Sequence, residues 1–141
     1  MRILALVLTV SLGCLCGGCE HLDTGMTGPA DRVLAGTVTT RTGGGPLPSG
    51  SEVTIRIVDL AANGGRGETL AEETITNPTA MPVAFRIEYR AEDGVLMRDV
   101  NVEARIAVGG RLRYMTMGGH PITLGNANDA HVLQVEPTVQ R

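Results

Sequence analysis

Val83-Ala84-Phe85-Arg86-Ile87-Glu88-Tyr89 decides how this chain folds. Val83, Phe85, Ile87 and Tyr89 alternate with Ala84, Arg86 and Glu88. In an extended backbone successive side chains point to opposite faces, so this stretch has one dry face and one wet face. The pattern returns between Val100 and Val108, where Val100, Val102, Ala104, Ile106 and Val108 are set against Asn101, Glu103, Arg105 and Ala107. Working outward, further alternations run over Val33 to Arg41, Glu52 to Leu60, a weaker Glu68 to Thr76, Arg111 to Met117, Pro121 to Leu124 and His131 to Glu136. The segments between them are rich in Gly, Pro, Asn and Asp, and no window shows a helical period with caps. Strands at this spacing predict an all-β fold, a small antiparallel β-sandwich of about seven to eight strands occupying residues 32–141.

Composition restricts what such a domain is built from and what it binds. Phe85, Tyr89 and Tyr114 are the only aromatic residues, so the core falls to Val, Ile, Leu, Ala and Met. A formal charge of -3 with both signs interspersed argues against a nucleic-acid partner, which asks for a basic patch. Gly43-Gly44-Gly45-Pro46, Asn63-Gly64-Gly65-Arg66-Gly67 and Asp93-Gly94 read as loops, since none has the strand-to-helix context or the lysine of a phosphate-binding loop.

The turn at Gly109-Gly110 allows a sharper expectation. A two-residue loop sets Val108 opposite Arg111 and mixes core and solvent faces, because directly paired residues share a face. A three-residue loop with a left-handed glycine and a bulge repairs this, aligning Ile106 or Val108 with Leu112 and turning the arginines outward.

The N-terminus carries a separate message. Arg2 supplies a charge, Ile3 to Leu12 is apolar apart from Thr9 and Ser11, and small residues and cysteines follow, which is the form of a secretory signal over residues 1–18. The apolar run is short of the ~20 residues that a membrane span needs. Cys14, Cys16 and Cys19 crowd its end and no cysteine follows, so a disulfide there closes no useful loop. Cys16-Gly17-Gly18 before Cys19 resembles a bacterial lipobox, which makes Cys19 the acylated residue; Ser11-Leu12-Gly13 before Cys14 is the alternative. More than one acyl chain gives stable membrane anchoring where one gives only reversible binding. Residues 19–31 then form the lipidated start and a polar, glycine-containing tether, with a typical end-to-end distance of ~18 Å over eleven residues. Glu20 after the anchor implies, by family analogy and in a Gram-negative envelope, sorting to the outer membrane with the domain facing the periplasm.

Gly36-Thr37-Val38, Leu47-Pro48-Ser49-Gly50 leading into Val53-Thr54-Ile55, Leu70 to Ile75, Pro82-Val83-Ala84-Phe85, and Val102 to Ile106 before Gly110-Arg111-Leu112 together resemble the YbaY/YscW-type lipoproteins. The likeness is ordered and spans most of the domain. Departures are Val100, where an aromatic is expected, and Gly118-Gly119, where a more polar loop is expected. The resemblance implies a small β-sandwich in the periplasm that acts as a binding or support module. In the secretion-associated branch it implies a pilotin or chaperone for a secretin of the outer membrane.

Chemistry finds little footing, and the chain reads as a non-enzyme without cofactor or metal; the alternative, a small-ligand binder or enzyme, requires an enclosed pocket with converging polar groups. Ser49 and Ser51 sit in a Pro/Gly turn with no nucleophile elbow. His21 falls in the tether, His120 before Pro121 and His131 at the start of the last strand, a spacing that matches no metal motif, although His120 and His131 can meet in space. Glu72-Glu73 and Glu92-Asp93 are neighbours whose side chains diverge, which suits solvated charge better than acid-base work. Met115 and Met117 share a strand face on the arginine side, as a soft contact for a partner or as packing against the tether or a loop.

Overall fold

A computed structural model describes residues 29–139. The signal segment, Cys14, Cys19 and the tether up to residue 28 lie outside the described residues. In chain order the elements are β1 (Arg32–Thr40), β2 (Gly45–Pro46), β3 (Ser51–Asp59), the helical turn α1 (Ala62–Gly65), β4 (Glu68–Thr76), β5 (Ala80–Met81), β6 (Val83–Tyr89), the helical turn α2 (Asp93–Leu96), β7 (Val100–Val108), β8 (Arg111–Thr116) and β9 (Ala130–Pro137).

The domain is all-β, and each strong alternation is a strand with its apolar face buried. Val53, Ile55 and Ile57 of β3, Val83, Phe85, Ile87 and Tyr89 of β6, and Val100, Val102, Ala104 and Ile106 of β7 line one core. Burying each large aliphatic side chain stabilises the fold by roughly 1.5–3 kcal/mol. The strands do not divide into two packed sheets. Seven of the nine form one sheet in the order β4-β3-β7-β8-β9-β1-β6, which curls until its edge strands β4 and β6 approach one another, while β2 and β5 pair separately. Alternation fixes which face of a strand is dry but not which strand lies beside it, and a sheet that closes on itself buries the same faces as a sandwich does. The sheet is mixed, because β1 runs parallel to β9, from Ala35 beside Ala130 to Thr40 beside Val135. Gly36 permits this pairing: a Cβ there would stand 2.0 Å from the carbonyl oxygen of His131.

Pro121 to Leu124 is not a strand. Pro121 makes a single bridge to Asn101, and the chain then turns back on Asn126, which accepts from the Thr123 N–H at 2.7 Å and donates to the Pro121 carbonyl at 3.1 Å. Ile122 is still fully buried. A proline without an N–H beside an Asx-type turn outweighs a short apolar alternation.

The barrel has two unlike ends. At the end where β1 begins, α2 inserts Val95 and Leu96, and the segment after β8 inserts Ile122 and Ala127, so the core is capped. Asp59, fully buried, accepts from the Ala61 N–H at 3.0 Å and pairs with Arg98 at 2.5 Å, while Arg32 bridges to Asp93 and the Ala91 carbonyl. At the other end, where β1 stops, the β2–β5 pair brings Met81 and Leu47 against the core, and no ion pair is found there among the described residues.

Candidate partner-binding groove

The open end is shaped by the β7–β8 hairpin. Val108 pairs directly with Arg111, so the loop has two residues, and Gly109 and Gly110 both have positive φ, 56° and 76°. That backbone suits the twist of a tight hairpin and is open to two glycines at little steric cost. A bulge is present, but it lies in the strand at Arg113 and not in a three-residue loop. Its effect differs from the expectation: Leu112 pairs with Ala107 on the outer face, and Tyr114 pairs with Ile106 and turns inward. The extra residue reverses the facing of every side chain after it.

Tyr114 is thereby half-buried against the core at the mouth of the barrel. Three adjoining depressions of about 410, 360 and 180 Å³ share it as a lining residue. One is bounded by Thr40, Arg41, Val135, Glu136 and Pro137, the next by Pro48, Val108, Arg113 and Thr138, the third by Gly44, Leu47 and Met81. Together they form a groove with an apolar floor and arginines at its margin.

Local hydrogen bonds hold the walls. Thr39 Oγ1 donates to the Gly43 carbonyl, the Gly43 N–H to Thr40, and the Leu47 N–H to Thr79 at 2.9 Å, beside the β2–β5 pair. Ser51, buried, donates its hydroxyl to the Pro48 carbonyl at 2.6 Å and its carbonyl accepts from the Asn77 N–H at 2.8 Å. Its hydroxyl is therefore spent on fixing a turn. On the opposite wall the Thr138 N–H donates to the Arg113 carbonyl at 2.8 Å.

The singled-out residues are dispersed. Met115 lies on the outer face opposite Arg105 and Glu136, half-buried, and Met117 is 65% exposed just beyond β8, beside Gly118, His120 and Val132. Neither lines the groove. His120 and His131 do meet, with Nε2 of His120 3.0 Å from Nδ1 of His131 and the rings edge to face. The Asn126 carbonyl, 3.0 Å from His131 Nε2, can only accept, so that nitrogen carries the proton and Nδ1 accepts from His120. Burial, reinforced by His131, lowers the pKa of His120. No group of three or more His, Cys, Asp or Glu among the described residues is placed to hold a metal ion. Glu72 pairs with Arg56 at 3.5 Å, and the Glu92 carbonyl accepts from the Val95 N–H in the first turn of α2. Sequence reasoning did not single out Tyr114, Arg41 and Arg113 as site residues; the one available signal was a scarce aromatic preceded by Arg-Leu-Arg.

Residues 29–135 match the family model described as type III secretion system lipoprotein chaperone, YscW. The chain belongs to the YscW family. No curated protein matches the sequence of this YscW-family member. Among solved structures it is similar to an alternative pilotin from the type II secretion system of Vibrio cholerae, at 23% identity and a TM-score of 0.65, over 77% of this chain and 98% of that one. At that identity the likeness speaks for the fold alone.

Proposed function

We propose that this YscW-family protein is a lipid-anchored pilotin: it binds a segment of an outer-membrane secretin through the groove at Tyr114 and accompanies the secretin to the outer membrane, without catalysis. The observation that carries the proposal is the contrast within one barrel, capped and ion-paired at one end and grooved at the other, in a chain of a secretion-chaperone family. The groove is open, and its Thr40, Thr42 and Thr138 hydroxyls are engaged in local hydrogen bonds, which suits reversible holding of a peptide better than turnover of a small substrate. Acylation at Cys19, or at Cys14, supplies the membrane attachment, and the domain faces the periplasm.

Deleting the gene and following the secretin tests this. Detergent-resistant secretin multimers should disappear from the outer-membrane fraction and return with the wild-type gene. A Cys14→Ser/Cys19→Ser variant should be soluble and fail to restore them, and mass spectrometry of the mature N-terminus identifies the acylated residue. Unchanged multimers in the deletion strain would reject the pilotin reading.

A further inference from the structure

We infer that the open end selects an acidic segment, one that lays an apolar side chain on Tyr114 and directs carboxylates to Arg41 and Arg113. The inference rests on the pilotin reading and adds the chemistry of what is held.

The distribution of charge carries it. On the outer face and at the capped end arginines are neutralised: Arg56 by Glu72 and Glu103, Arg86 by Glu88, Arg105 by Glu103, Arg98 by Asp59 and Arg32 by Asp93. Among the described residues Arg41, Arg111 and Arg113 make no ion pair, and all three are exposed at the open end. Arg66 and Arg90 are also unpaired, but they follow β3 and β6 toward the opposite end. Glu136 is the one carboxylate lining the groove, and it pairs with neither Arg41 nor Arg113.

A guanidinium presents a planar fork of donors that matches a carboxylate, and two such forks flanking an apolar floor specify a spacing as well as a sign. Recognition here must come from side chains, because β8 offers no free edge for an added strand: β7 flanks it on one side, and β9 with Thr138 on the other. Val135, Pro137 and Val108 extend the apolar floor beside Tyr114.

The test uses the full-length acylated protein in detergent and fluorescent peptides tiling the periplasmic part of the secretin encoded in the same genome, with anisotropy as the readout. The tile that binds should carry Asp or Glu on both sides of an apolar residue, and its affinity should fall as salt is raised. The Arg41→Glu/Arg113→Glu double variant should bind about tenfold or more weakly, and lysines in place of the acidic residues of the tile should restore binding to that variant. Both arginines are exposed, and circular dichroism verifies that the variant is folded. A bound tile that lacks acidic residues, or an affinity untouched by the double variant, overturns the inference and leaves the pilotin reading standing. Binding of neither tiles nor intact secretin overturns both. A concentration-dependent dimer that the double variant abolishes would mean that the groove receives a second copy, and also overturns it.

Discussion

The capped end and the open end of this barrel are made from the same strands, yet they use charge and burial in opposite ways. At the capped end Ile122, Val95 and Leu96 close the core, and a fully buried Asp59 is matched by Arg98. At the open end Tyr114 stays half-exposed, and Arg41 and Arg113 have no ion-pair partner among the described residues. One end spends its side chains on the fold, and the other leaves them available. Substitutions at the two ends should therefore separate stability from binding.

Ile122→Ala gives the largest expected effect on stability. The side chain is fully buried, and its removal should cost about 3 kcal/mol, read as a lower urea midpoint at unchanged slope. Arg98→Ala follows. It leaves a buried carboxylate with only the Ala61 N–H, and because Arg98 is itself 45% exposed the loss should be about 2 kcal/mol. A loss at either position no greater than at an exposed site would break the distinction between the ends.

A smaller effect concerns pH. The folded-state pKa of His120 is lowered from 6.5, so below that value the unfolded chain binds more protons than the folded one. Its contribution to stability is complete above 6.5 and declines as pH falls through that value toward the lowered folded pKa. Thermal melts from about pH 7 to pH 5 should show this decline, and His120→Gln should flatten it. The smallest effect is expected at the mouth, where Arg41→Glu/Arg113→Glu should change stability by no more than about 0.5 kcal/mol while weakening partner binding about tenfold or more.

Local facing was legible in the sequence; neighbourhood was not. Val83 to Tyr89 and Val100 to Val108 announce their dry faces through a period of two, and the structure buries the same residues except Val108, which is only partly covered at the mouth. The parallel contact of β1 with β9 joins residues nearly a hundred positions apart, and no local pattern encodes it. Pro121 to Leu124 failed as a strand because Asn126 supplies a competing turn. The groove was hidden for a more specific reason: one inserted residue at Arg113 decides whether Leu112 or Tyr114 enters the barrel, and the sequence permits the bulge in either place. Met115 and Met117 drew attention as exposed thioethers, whereas the groove is built around a side chain whose inward turn depends on that single offset.

The direction of β1 has a consequence for orientation. Its nine residues start at the capped end and finish at the mouth, a run of ~30 Å. Under the proposal that an acyl anchor lies upstream of Arg32, the capped base is the end of the domain that follows the anchor most closely along the chain, and the receptive rim is the end farther from it. Under that proposal, cargo held at the rim is separated from the tether by the length of β1.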